Sequence, residues 1–333
     1  MPTADDRYFY RCKGERYDPM LSGVDLPLSG TLYPAGFPLH LATNSRDAMD
    51  AACEAWGAWE PAFDRLPLDF RVVVRPEGEV SPAPVYRVQA GLLSFVADAH
   101  NFATADTRTL TAIFFVSKKT AADHTLLRWL FLEAMAYMLL TQRYVVSLHA
   151  GCVVSLHAGR VARGGGAILL CGSSGAGKST LSVACARAGF AFLSDDCTWV
   201  LTGTDRLVAI GKPHQARLRA DAARHFPELE GLPARALPNG KLSMEVPTSL
   251  LTGVQTASQA EIGTLVFLDR QTEGPARTET MAGGEVATLL LRDLPSYGPE
   301  VNAVHERTVG ILAALPAFRM TYSSLPDAIR ILT

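Results

Sequence analysis

Apolar and polar positions along the chain follow two patterns, and they change over near residue 144. In the first stretch, Ala48, Met49, Ala52, Trp56 and Trp59 recur at helical spacing behind Asn44. That spacing predicts a core-facing helix over 44–63, with Asn44 as N-cap and Asp47 at N3. Residues 1–40, rich in Pro and Gly, predict irregular structure or edge strands. Residues 70–74 alternate as a strand, and 76–84 form a Pro/Glu/Ser loop. Residues 85–88, 92–96 and 110–116 then read as successive strands of a small antiparallel sheet. His100 and Asn101 share one of its turns, where a lone His reads as structural or solvated. A nearly apolar helix, 125–142 behind Asp123, is interrupted by Arg128 and Glu133. Its apolar length falls short of the ~20 residues a bilayer span needs, which predicts a helix buried between two domains.

Beyond residue 144 the apolar runs become short and continuous, as buried strands require. They fall at 144–148, 152–156, 167–171, 190–193, 198–202, 207–210, 242–247, 261–269 and 318–322. Helical patterns lie at 181–188, 284–291, 301–315 and 325–332. Segment 157–165 reads as a hairpin turn, as does the Asn239-Gly240 pair. The expectation is an α/β chain of two domains: a smaller α+β domain over 1–143 and a larger α/β domain over 144–333. A length of 333 residues, 48% of them hydrophobic, suits two cores.

A formal net charge of −2, with 19% charged residues, gives no reason to expect nucleic acid or an anionic membrane surface as partner. Six cysteines, at 12, 53, 152, 171, 185 and 197, form no C-x-x-C pair. They predict a reducing, cytoplasmic setting, and the N-terminal residues carry no apolar signal core.

The chemistry concentrates between residues 166 and 196. Strand 167–171 leads into Gly172, Ser173, Ser174, Gly175, Ala176, Gly177, Lys178, Ser179 and Thr180, which fit the phosphate-binding P-loop pattern G-x-x-x-x-G-K-[ST]. Its fixed positions would match by chance in roughly one chain in a hundred of this length, Gly being near 7% of residues. The strand before and the helix after lower that further. Glycines let successive N–H groups point into one concavity at a helix N-terminus. Lys178 would reach the β- and γ-phosphates of ATP, and the Ser179 hydroxyl would hold Mg²⁺. The helix returns the chain to strand 190–193, expected to lie parallel to and beside the first, so that Asp195 and Asp196 open on the same edge. Two carboxylates there could hold the metal and take a proton from an attacking hydroxyl, although an acidic turn facing water would look the same. Asp269, ending the apolar strand 261–269, is the competing position for a metal ligand. Downstream, Lys212, His214, Arg217 and Arg219 form a basic cluster from which Arg217 is a candidate phosphate or substrate contact.

The run Ser-Ser-Gly-Ala-Gly-Lys-Ser-Thr, the Arg-Ala-Gly-Phe turn, Leu-Ser-Asp-Asp and the upstream Ser147-Leu148-His149-Ala150 resemble HPr kinase/phosphorylase and its kinase relatives. The likeness is strong over 147–201, looser to the C-terminus and absent from the HPr enzyme itself over the first ~140 residues. That front part instead looks like the variable domain of kinase relatives found beside peptide-modification genes. The resemblance implies a P-loop fold shared with phosphoenolpyruvate carboxykinase, built on a mixed sheet. It also implies a role for His149 near the γ-phosphate or the Asp pair, and for Lys241 as a second cation on the transferring group. No Glu-Ile-Arg-Gly-type signature follows the Asp pair, so neither phosphorolysis nor HPr as substrate is expected. The resulting reading is an ATP- and Mg²⁺-dependent kinase acting on a hydroxyl, most plausibly Ser or Thr of a peptide or protein. Lys178 neutralises phosphate, Asp195 with Ser179 holds the metal, and Asp196 is favoured as base. A small-molecule kinase of the same fold and a nucleotide-gated peptide-binding module remain the alternatives, and a homo-oligomer is compatible with each.

Overall fold

The computed structural model describes residues 24–155, 166–204, 206–236 and 242–333. The expected turns at 157–165 and 239–240, the Lys241 position and residues 1–23 of the stretch expected to be irregular or edge strands lie outside the described residues. The chain divides into two compact units, 1–135 and 136–333. The division falls within a helix, earlier than the 143/144 boundary expected from the sequence.

The first unit is built on a seven-stranded sheet comprising β1 (Leu28–Leu32), β2 (Leu39–Thr43), β3 (Leu68–Arg75), β4 (Val85–Gln89), β5 (Leu92–Val96), β6 (Phe102–Asp106) and β7 (Thr111–Ser117). Its order is β1-β2-β3-β7-β6-β5-β4. The sheet is mixed, since β3 pairs in parallel with both β2 and β7. The antiparallel sheet expected from three strands is therefore only one side of a larger one. β1 is an edge strand within the stretch expected to be irregular or edge strands, whereas β2 and β6 carry no clear signal because Thr and Ala dilute their apolar alternation. Helix α1 spans Arg46–Trp56, shorter than expected, and its N-cap is Ser45, whose hydroxyl accepts from the Ala48 N–H. Asn44 instead brackets the backbone of Val74, donating to its carbonyl at 3.0 Å and accepting from its N–H at 2.8 Å. The predicted stripe does bury Trp56, edge-on to Phe70, while Trp59 is buried beyond the helix end.

Short helices α2 (Lys118–Ala122) and α3 (His124–Leu127) lead through a π-helical turn, Arg128–Leu132, into α4 (Glu133–Arg143). Asp123 caps this run as expected, accepting from the Leu126 N–H. Among the described residues no helix is long and apolar enough to cross a membrane.

The second unit carries β8 (Val145–Leu148), β9 (Gly151–Ser155), β10 (Gly166–Cys171), α5 (Lys178–Arg187), β11 (Ala191–Ser194), β12 (Thr198–Leu201), β13 (Val208–Ile210), β14 (Gln215–Leu218), β15 (Arg235–Ala236), β16 (Leu242–Pro247), β17 (Gln255–Thr256), β18 (Gln259–Arg270), β19 (Arg277–Thr280), α6 (Gly283–Arg292), α7 (Pro299–Leu312), β20 (Ala317–Tyr322) and α8 (Leu325–Leu332). The main sheet runs β17-β11-β9-β10-β18-β13-β12-β8, with β20 beside β18 and β19 beside β20. It is mixed: β10, β18 and β20 are parallel, while β9 runs antiparallel to β10 and β11. The expectation that β11 lies beside β10 is thus corrected, because β9 is inserted between them. The strand parallel to and beside β10 is β18.

Alternation along β10 and β18 divides the core between the two sheet faces. Leu169, Cys171, Leu265 and Phe267 pack with Val286, Leu290, Val309 and Leu312 of α6 and α7. Ile168, Leu170, Val266 and Leu268 pack with Leu181 and Cys185 of α5 and with Ala328 and Leu332 of α8. Strands buried on both faces explain why these runs lacked polar alternation. A smaller sheet, β14-β16-β15, packs Ala216, Leu218, Met244 and Val246 on the outer side of α5.

Candidate active site

Strand pairing brings the predicted site residues to one edge. Gly151, opening β9, pairs with Leu170 near the end of β10, and Cys152 pairs with Ser194 at the end of β11. The loops leaving β10 and β11 therefore meet the β8–β9 turn, which is His149-Ala150. This approach depends on Gly151: a Cβ there would lie 2.4 Å from Ser182 Oγ and 3.1 Å from the Asp195 carbonyl oxygen.

Residues 172–177 form a tight loop in which Gly175 and Gly177 have φ of 92° and 95°, a region costly for any residue with a Cβ. Gly177 is the N-cap of α5, which begins at Lys178, ahead of the expected 181. The buried Lys178 ammonium donates to the carbonyls of Gly172 at 2.7 Å and Ser173 at 3.2 Å, inside the loop. The Tyr322 hydroxyl, from the last strand, donates to the Ala176 carbonyl at 2.7 Å. Burial raises its pKa to about 12, so it stays a donor.

Ser179 Oγ lies 3.5 Å from the Asp195 backbone oxygen. The Asp195 carboxylate is buried and accepts from the Arg217 N–H at 3.1 Å. Burial pushes its pKa up to about 7, with the Asp196 charge adding to the rise. The Arg217 N–H bond and charge and the Ser179 hydroxyl oppose it. Asp196 is half-exposed, and its Oδ1 lies 3.3 Å from His149 Nδ1. The two carboxylates thus occupy different environments, one dry and backbone-bound, the other wet and facing an imidazole.

One cavity of about 180 Å³ is lined by Lys178, Ser179, Thr180, His149, Asp196 and Arg217, while Asp195 lies outside its lining. Arg217 also meets Glu245 at 3.4 Å, and the neighbouring Arg219 reaches Ser174 Oγ at 3.4 Å. Period-two alternation along β14 explains the selection, since Ala216 and Leu218 are buried while Arg217 points to the cavity. Of the basic cluster, Arg217 and Arg219 line this cavity, whereas Lys212 and His214 do not. Arg270 lines it too and was missed by sequence reasoning. Its signal was its place immediately after the apolar strand ending in Asp269. Asp269 itself belongs to the wall of a second cavity and accepts from Gln271 at 2.9 Å. Asp196 therefore lines the cavity that holds Lys178 and Ser179, with Asp195 buried beside it, and Asp269 does not line it.

The residues fit a nucleotide triphosphate with a divalent cation. The Gly-rich cradle has open space around Gly175, where a Cβ would meet nothing within 4 Å, and it holds a fixed ammonium. Ser179 and the Asp pair supply hard oxygen donors of the kind Mg²⁺ prefers. Among the described residues no cluster of three or more His, Cys, Asp or Glu is gathered to hold a metal. A cation held here would need phosphate oxygens and water to complete its shell. The buried thiols take no part in this chemistry: burial holds Cys152 well above its ordinary value and raises Cys171 and Cys185 to about 12.

No family model matches the chain, and no curated protein matches it. Among solved structures, the chain is distantly similar to the HPr(Ser) kinase/phosphatase from Coxiella burnetii. The TM-score is 0.29 and the identity 13%, over 56% of this chain and 87% of that one.

Proposed function

We propose that this protein is an ATP- and Mg²⁺-dependent kinase that transfers the γ-phosphoryl group to a hydroxyl, most plausibly of Ser or Thr in a peptide or protein. The observation carrying this reading is that the P-loop lysine and serine, His149 and Asp196 line one cavity at one sheet edge. Phosphoryl transfer needs positioning and charge neutralisation more than covalent participation, and each role has a residue here. Backbone N–H groups over 175–179 and Lys178 bind the phosphates, with Arg217 and Arg219 as further cations on the cavity wall. Ser179 and Asp195 would hold Mg²⁺, which would neutralise charge on the phosphates. Asp196, exposed enough to meet an incoming acceptor, takes the proton of its hydroxyl, and His149 orients the carboxylate from the other side.

The test is transfer of labelled phosphate from ATP-Mg²⁺ to a Ser/Thr peptide library, by the full chain and by Asp196→Asn. The variant is expected to keep nucleotide affinity within a few-fold and to lose about a hundredfold or more in rate, the scale of general-base help. If ATP-Mg²⁺ binds normally yet no hydroxyl acceptor is labelled by the unmodified protein, the kinase reading fails in favour of a nucleotide-gated binding module.

A further inference from the structure

A second cavity, of about 250 Å³, adjoins the first on the α6 face of the sheet. Its floor is Leu148, Ala150, Cys171 and Phe267, and its far wall is Leu289, Leu290 and Leu294 at the end of α6. Gly172 and Ser173, the first residues of the P-loop, form the side next to the phosphate cavity. His149 is the residue that lines both cavities.

The rim carries two cations, Arg292 and Arg319, and two carboxylates, Asp269 and Asp293. Arg292 pairs with Asp293 at 3.1 Å, Arg319 pairs with Glu285, and Asp269 accepts from Gln271. The rim therefore carries no excess of one sign, and most of the remaining lining is apolar, with His149 and Ser173 as its polar members. A cavity of this kind takes an uncharged apolar group.

We propose that this cavity seats an aliphatic side chain next to the reacting hydroxyl of the phosphoryl acceptor, making the enzyme selective for a hydroxyl flanked by an apolar residue. The inference rests on the kinase reading and deepens it. The competing occupant is the nucleobase, and the shared wall decides against it. A group in the second cavity meets the phosphate cavity at His149, whose imidazole faces Asp196, so it arrives on the side of the base and the transferred phosphoryl group. Arg270, Asp221 and Leu242 line the phosphate cavity and not the second one, and the nucleoside is assigned to their side.

The test uses the full chain and saturation-transfer NMR with N-acetyl-L-leucinamide, and with N-acetyl-L-asparaginamide as polar control, each with and without Mg²⁺ and a non-hydrolysable ATP analogue. The isobutyl methyls are expected to receive saturation and the asparaginamide not. Leu294→Trp, which fills the cavity, should weaken leucinamide about tenfold or more, the scale of one buried aliphatic side chain. Leu289→Asn, which makes the wall polar without crowding it, should act in the same direction and guards against misfolding of the larger substitution. Equal response to both probes, or a leucinamide response untouched by both variants, overturns the proposal. So does a loss of affinity for ATP but not for tripolyphosphate in Leu294→Trp, which would assign the cavity to the nucleobase. Because probe binding is read without phosphate transfer, a failure of the kinase reading leaves this result standing, and the two failures are distinguishable.

Discussion

Asp195→Asn should stabilise the metal-free protein, and by an amount that grows with pH. The Asp195 carboxyl is buried, and its pKa is raised from 3.8 to about 7, chiefly by burial and then by the Asp196 charge. Between those two values the folded protein holds a proton that the unfolded chain has released, so stability falls as pH rises and the loss is complete above pH 7. From pH 5 to pH 8 the cost grows by about 2 pH units' worth of proton binding, up to about 3 kcal/mol. Asparagine is isosteric, its amide oxygen can still accept from the Arg217 N–H, and it carries no charge to desolvate. For a unit of this size 3 kcal/mol corresponds to roughly 6–12 °C in thermal midpoint. Thermal unfolding of both proteins with EDTA present, at pH 5 and pH 8, measures this directly. The variant's advantage should be several degrees larger at pH 8. An advantage independent of pH, or a variant less stable at pH 8, would refute the claim that this carboxylate is held in the dry interior at a cost. Saturating Mg²⁺ and ATP should narrow the gap, because a cation neutralises the wild-type carboxylate and the amide is a poorer ligand.

Three further outcomes follow from the same geometry. Lys178→Ala should abolish phosphate transfer and weaken ATP binding in calorimetry while moving the thermal midpoint by only a few degrees; undiminished turnover would sink the P-loop assignment. Tyr322→Phe removes the donor to the Ala176 carbonyl and should cost about 1–3 kcal/mol in urea unfolding, with a several-fold rise in the ATP dissociation constant. Unchanged values for both would mean the loop needs no such brace. Gly151→Ala places a methyl 2.4 Å from Ser182 Oγ and should destabilise by about 1–3 kcal/mol, as overpacking does. A wild-type denaturation midpoint would show that the β9 edge can relax.

What the sequence determined is what depends on neighbours along the chain. The P-loop is a local conformation: Gly175 and Gly177 take positive φ, Lys178 opens a helix, and an apolar strand precedes them, so a short contiguous pattern suffices. The Asp195-Asp196 turn, the Asp123 cap and the buried strands of the second unit were legible for the same reason. Tertiary structure decided whatever depends on which strands pair. That β9 lies between β10 and β11 follows from the sheet order, and continuous apolar runs buried on both faces carry no signal of their partners. Only that pairing brings His149 to Asp196 and puts Asp196 in the cavity with Lys178 and Ser179, with Asp269 in the other. The choice of Arg217 and Arg219 over Lys212 and His214 was set by the register of β14 on α5. Arg270 and Tyr322 became visible only when β18 was laid beside β10 and β20 beside β18. The cap of α1 went to Ser45 because Asn44 found its partner in Val74, thirty residues away. A side chain with two possible partners goes where the fold, and not the adjacent sequence, places the better one.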